Sequence, residues 1–149
     1  ILIGLVGSEM CIRDRFQVVK SQYFQKQAEP VLTLWATSIA FGQGAYQALN
    51  SCESIQLMIN ERRKCIIIRP SSSSMPDAIV WKKGKSEPKY CKMDCAQLGR
   101  KIFEMWNFDC RYHYKAYGRL VQVDQKVMLL FDFNNADAFV GTKRVDGNE

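Results

Sequence analysis

Apolar and polar positions recur along the chain with two different periods, and those periods predict a series of short elements. Residues 31–35 are β-branched or aromatic, as a strand prefers, and 38–41 predicts a second short strand. Residues 42–49 predict a short helix with Ala45, Ala48 and Leu49 turned inward. Asn50-Ser51 ends it, since Asn tolerates the left-handed conformation of a helix cap. A hairpin gives the clearest signal. Ile55, Leu57 and Ile59 alternate with Ser54, Gln56 and Met58, the period of a half-buried strand. Residues 60–63 supply the turn into a second strand at 64–69, which Pro70 closes. Ser71 to Ser74, with Pro76, predict a loop, 78–81 another short strand, and 82–88 an exposed basic turn.

The period then changes. Cys91, Cys95, Leu98, Ile102 and Met105 recur at steps of four, three, four and three. That predicts a long helix over 91–106, with Lys92, Arg100, Lys101 and Glu104 mostly off its apolar face. Gly99 is a cost inside this helix, and Asn107 ends it. Beyond it, 112–117, 119–123 and 127–133 predict three strands, with a tight turn at 124–126. Residues 134–149 predict a frayed polar tail. The expected order is β-β-α-β-β, a loop, then β-α-β-β. This is an α+β class: one small hairpin-rich domain at 31–133 with one short and one long helix. A Gln-rich lead-in arm at 16–30 precedes it and is stopped by Pro30.

The first fifteen residues stand apart. Leu5-Val6-Gly7-Ser8-Glu9-Met10-Cys11-Ile12-Arg13-Asp14-Arg15 resembles the translation of a transposase mosaic-end adapter, a reagent of shotgun library preparation. Ile1 to Gly4 fit its variable index. The segment lacks the basic start of a signal peptide and soon becomes charged. Residues 1–15 are therefore set aside from the fold, and the natural start is not visible upstream of Phe16. Setting them aside takes Lys+Arg from 21 to 19 and Asp+Glu from 15 to 13, so the net charge stays +6. Of six cysteines five remain, an odd count at irregular spacing. That predicts free thiols in a reducing cytoplasm rather than a secreted disulfide framework. No apolar run approaches the roughly 20 residues of a membrane helix, so no membrane partner is expected.

Candidate chemistry is sparse. Cys91, Cys95, Cys110 and His113 make a Cys3His set on paper, but Cys91 and Cys95 fall on the apolar stripe, where cysteine packs as a small hydrophobe. No metal and no cofactor are expected. His113 is the sole histidine, and no nucleophile or orienting acid is nominated beside it. Asp109, Asp132 and Asp137 follow no recognisable spacing, and Gly42-Gln43-Gly44 lacks the Lys-Ser/Thr ending of a P-loop. The reading is non-enzymatic; a deep pocket converging on His113, Asp109 and Cys110 would reverse it. The basic residues do group. Arg62, Arg63 and Lys64 crown one hairpin, and Lys82, Lys83, Lys85 and Lys89 another loop. Arg111, Lys115 and Arg119 flank Tyr112, Tyr114 and Tyr117, and cations interleaved with rings can track phosphates and stack bases.

The order of elements over 31–70, ending in Ile66-Ile67-Ile68-Arg69-Pro70, resembles AbrB/MazE-type swapped-hairpin domains, which are dimeric DNA-binding regulators and antitoxins. The sequence departs from them in holding Ala36-Thr37 in the first turn and Phe41 before the helix. It also has no Lys or Arg over 31–61. The spacing Phe41, Ala45, Leu49 followed by that hairpin also resembles small bacterial proteins that accompany integrative elements, without a recombinase set of Arg, His and Tyr. The resemblances imply a bacterial regulatory or mobile-element accessory protein, a homodimer. DNA would be its partner through Arg62, Arg63, Lys64, Lys82, Lys83 and Lys85, with Arg111 and Lys115 as further contacts. The alternative is a protein-interaction module, antitoxin-like or phage-accessory. It would show an exposed apolar patch including Trp35, Trp81 or Trp106.

Overall fold

The computed structural model describes residues 28–145. The adapter-like segment, residues 16–27 of the lead-in arm and the last four residues of the tail lie outside the described residues. Strands β1 (Val31–Leu34) and β2 (Ser38–Gly42) lead directly into helix α1 (Gln43–Ala48). Strands β3 (Ser54–Asn60), β4 (Cys65–Ser71), β5 (Ile79–Val80) and β6 (Tyr90–Asp94) follow, then helix α2 (Ala96–Met105). The chain continues through β7 (His113–Val123), β8 (Lys126–Asp132), β9 (Asp137–Val140) and β10 (Lys143–Arg144). All ladders are antiparallel. The strands run β5-β3-β4-β8-β7-β1-β2-β6, and β9 joins β7 on one side and β10 on the other.

This corrects the α+β expectation. The molecule is mostly antiparallel β, a curled sheet with only two helices among the described residues. Three local misreadings account for the difference. Residues 91–95 fit a helical spacing, yet Tyr90–Asp94 also alternates: Cys91 is buried and Met93 half-buried, while Tyr90, Lys92 and Asp94 are exposed. The alternation prevails because β2 would otherwise leave a row of backbone groups without partners, and five residues of β6 pair with it. Helix α2 therefore starts only at Ala96. The predicted break at Gly118 is absent, and β7 runs unbroken for 11 residues. A Cβ on Gly118 would lie 2.6 Å from Phe131 Cε1, so the glycine makes room for a ring that packs over the strand. The tail is not frayed over its described part, since β9 pairs with β7 and β10 turns back on β9 through Gly141 (φ +60). Pro70 also lies within β4, opposite Ile55, rather than closing it; the β8 ladder on the other side reaches only Ile68.

The hairpin of β3 and β4, the short helix α1 and the tight turn before β8 sit where the periodicity placed them. Asp124 and Gln125 both have positive φ, as a two-residue hairpin turn of this hand requires. The core lies on one face of the sheet. Leu32, Phe41, Ile66, Ile68, Leu129 and Phe131 come from strands, and Tyr46, Leu49, Ile102, Phe103 and Trp106 from the helices or the residues that end them. The expectation of exposed tryptophans fails for Trp81 and Trp106, which are 2% and 3% exposed. Each is anchored at its one polar atom: Trp81 Nε1 donates to the Cys52 carbonyl at 2.6 Å, and Trp106 Nε1 to that of Glu61 at 3.1 Å.

Candidate nucleic-acid interface

Residues paired across an antiparallel ladder share a face, and alternate residues along a strand change face. Since Leu32, Phe41 and Ala116 face the core, the register defines the opposite, outer face. One row crosses four strands, from Lys115 through Thr33 and Ala40 to Lys92; its middle is covered, with Thr33 and Ala40 buried, and its two lysines stand at the ends. A parallel row sets Tyr117 opposite Val31 and Tyr90 opposite Gly42. Along β7 the outer face carries His113, Lys115, Tyr117 and Arg119 in succession.

At one end of this face the rings form a ladder. Trp35 stacks on His113 with centroids 5.2 Å apart, and His113 stacks on Phe139 at 5.5 Å. Two lysines close the ladder: Lys92 Nζ lies 4.9 Å from the Trp35 centroid and Lys115 Nζ 4.9 Å from that of Phe139. Lys92 stands two strands away from Trp35, so its stem crosses the small side chains of Ser38 and Ala40 to reach the ring. Burial, and then the positive charge of Lys115, push the His113 pKa below its ordinary value.

Further along the face, Arg119 and Arg63 border an open groove of about 460 Å³ with Asn60, Ile67, Asp132 and Asn134. Asn134 organises it. Its Nδ2 donates to Asp132 Oδ1 at 2.6 Å and to the Arg63 carbonyl at 2.7 Å, and its backbone N–H donates to Asp132 Oδ1 at 2.9 Å. The backbone N–H of Asn134, then its side chain, hold the Asp132 carboxyl below its usual range. Burial, and next the charge of Asp132, push the Cys65 thiol up. Arg69, the next basic residue on this face, donates through Nε to Gln56 Oε1 at 2.9 Å.

The residues singled out in the sequence separate into three places. Arg62, Arg63 and Lys64 form the β3–β4 turn, with Lys64 in a left-handed conformation (φ +52). Arg63 alone of these borders the groove with Arg119. Lys82, Lys83 and Lys85 follow β5, which pairs with the other end of β3, roughly 20 Å from that turn along a seven-residue strand. The fold therefore does not bring the two basic clusters together. Lys115 lies on the outer face, whereas Arg111 precedes β7 and lines a cleft with Trp35 and His113. Asp109 holds Arg111 through two oxygens, at 2.7 Å to Nη2 and 3.1 Å to Nε, and these bonds lower the Asp109 pKa to about 2.

The Cys3His set does not assemble. Cys91 is buried on β6 and Cys95 precedes α2, so the shared helical stripe is absent. Among the described residues no group of three His, Cys, Asp or Glu is placed to hold a metal, and Cys52, Cys65, Cys91, Cys95 and Cys110 are free thiols. His113 and Cys110 line an open cleft of about 510 Å³ with Trp35, Arg111 and Tyr112. Asp109 does not line it, and stacked rings cover both faces of the imidazole.

Sequence reasoning missed Trp35, Lys92, Tyr90 and Phe139 as members of this face. Lys92 and Tyr90 were hidden by the helical reading of 91–106, and Phe139 by the polar tail around it. The period-two alternation of 90–94 was the available signal. Among the described residues no helix is long and apolar enough to cross a membrane. Comparison of the chain with protein-family models, curated proteins and solved structures gave no match.

Proposed function

We propose that this chain is a non-enzymatic cytoplasmic protein, regulatory or accessory in kind, that binds nucleic acid on the outer face of its sheet. One observation carries the reading: rings and cations alternate on that face, from the ladder of Trp35, His113 and Phe139 to Tyr117, among Lys92, Lys115 and Arg119. Cations neutralise phosphates and release counterions, and an exposed ring such as Tyr117 offers π surface to a base. Arg63 extends the cationic row at the groove. The net charge of +6 favours a polyanion without selecting one.

The test is a salt series with a labelled oligonucleotide. Neutralising three phosphates through Lys92, Lys115 and Arg119 gives a slope of log affinity against log salt of about −2 to −3. Lys115→Glu combined with Arg119→Glu is expected to weaken binding more than tenfold. Failure of every duplex and single strand to bind at low salt would overturn the reading.

A protein partner is the second reading, and a specific feature favours it. The tip of the β7–β8 hairpin exposes Leu120, Val123 and Val127 at 56%, 48% and 42%. Pairing of two copies through this tip would give a homodimer. Sedimentation would show it as a dimer that Leu120→Lys converts to monomer.

A further inference from the structure

We infer that the ligand of the outer face is a single strand, laid along β7 with a base stacked on the exposed ring of Tyr117. The inference rests on the nucleic-acid reading above and narrows it. The first argument is width. From β6 through β2, β1 and β7 to β9 the face spans four strand spacings, roughly 19 Å. A duplex major groove is about 12 Å wide and admits a helix or a two-stranded ribbon, so this face cannot enter one to read base edges.

The second argument is spacing. His113, Lys115, Tyr117 and Arg119 place ring, cation, ring and cation at the two-residue step of a strand, roughly 7 Å. No acidic residue interrupts that row. Asp137 stands across from Lys115 on β9 and is paired with Arg144 at 2.8 Å, and Asp132, which accepts hydrogen bonds from Asn134, borders the groove with Arg119. Asp94 stands at the far end, on the edge strand β6.

The third argument is availability. Tyr117 and Tyr90 are 50% and 51% exposed, and among the described residues neither ring has an aromatic neighbour or a cation over it. Val31 and Gly42 are the small residues between them in the register, so a flat base meets no bulky side chain there. A ring with its face open to solvent stacks any base, whereas paired bases in a duplex offer none. DNA and RNA single strands share this chemistry.

The test measures affinities of the full chain for labelled oligo-dT, oligo-U and a duplex of equal length at one low salt concentration. At least one single strand is expected to bind about tenfold or more tightly than the duplex. Tyr117→Ala, at an exposed position that leaves the core untouched, is expected to weaken single-strand binding about tenfold, the loss of one stacked base. Tyr117→Phe should restore it, and duplex affinity should not move. Equal or tighter duplex binding, or no effect of Tyr117→Ala, would overturn this inference while leaving the nucleic-acid reading in place. Absence of binding to all three would overturn both.

Discussion

Gly99 shows how one missing atom sets the position of a helix. A Cβ there would lie 2.2 Å from the Ala36 carbonyl oxygen, so α2 rests directly on the β1–β2 turn. In an isolated helix, Gly to Ala is stabilising by about 1 kcal/mol. Here overpacking reverses the sign, and Gly99→Ala is expected to destabilise by about 1–3 kcal/mol in urea unfolding. A raised midpoint would contradict the contact. His113 sets a pH dependence. Its pKa is lowered in the fold, so the unfolded chain binds more protons as pH falls through the ordinary value of roughly 6.5. The stabilisation is fully present above that value and is lost as pH drops towards the lowered folded one. Unfolding measured between pH 7.5 and 5.5 should show falling stability, and His113→Phe should flatten that slope.

The β7–β8 hairpin is the element whose turn was legible and whose strand was not. Asp124 and Gln125 sit at φ +51 and +66, a region that glycine, asparagine and aspartate tolerate and glutamine does not favour. Gln125→Gly should raise stability by about 0.5–1 kcal/mol, read as a shift of the denaturation midpoint without a change of slope. An unchanged or lowered midpoint would count against the turn geometry. More generally, elements whose local chemistry agrees with their tertiary setting could be read from the sequence: the β3–β4 hairpin, α1, and the end of α2 at Asn107 (φ +54). Others could not, because long-range pairing decides them. Cys91 to Cys95 fits both periods until β2 claims the segment as an edge strand. Gly118 reads as a break until Phe131 is placed over it, and Asp137–Val140 reads as a tail until β7 offers a free side. The candidate site suffered in proportion. Lys115 and Arg63 could be named because β7 and the hairpin were recognised, whereas Lys92 and Phe139 sit on the two strands that were not.

At the scale of the molecule, the curled sheet has a division of labour between its faces. The inner face and the two helices hold the core; the outer face collects rings and cations from β6, β7, β9 and the end of β1. The basic loops at Arg62 and Lys82 lie at opposite ends of β3 and are secondary contacts in this account. Photochemical crosslinking of the full chain to a single strand, with the modified peptides located by mass spectrometry, separates the two possibilities most directly. The expected crosslinks fall on Tyr117 and Tyr90, the rings of this face that are exposed. Crosslinks confined to the 61–64 and 82–89 loops, with the outer face unmodified, would contradict the assignment of that face as the binding surface.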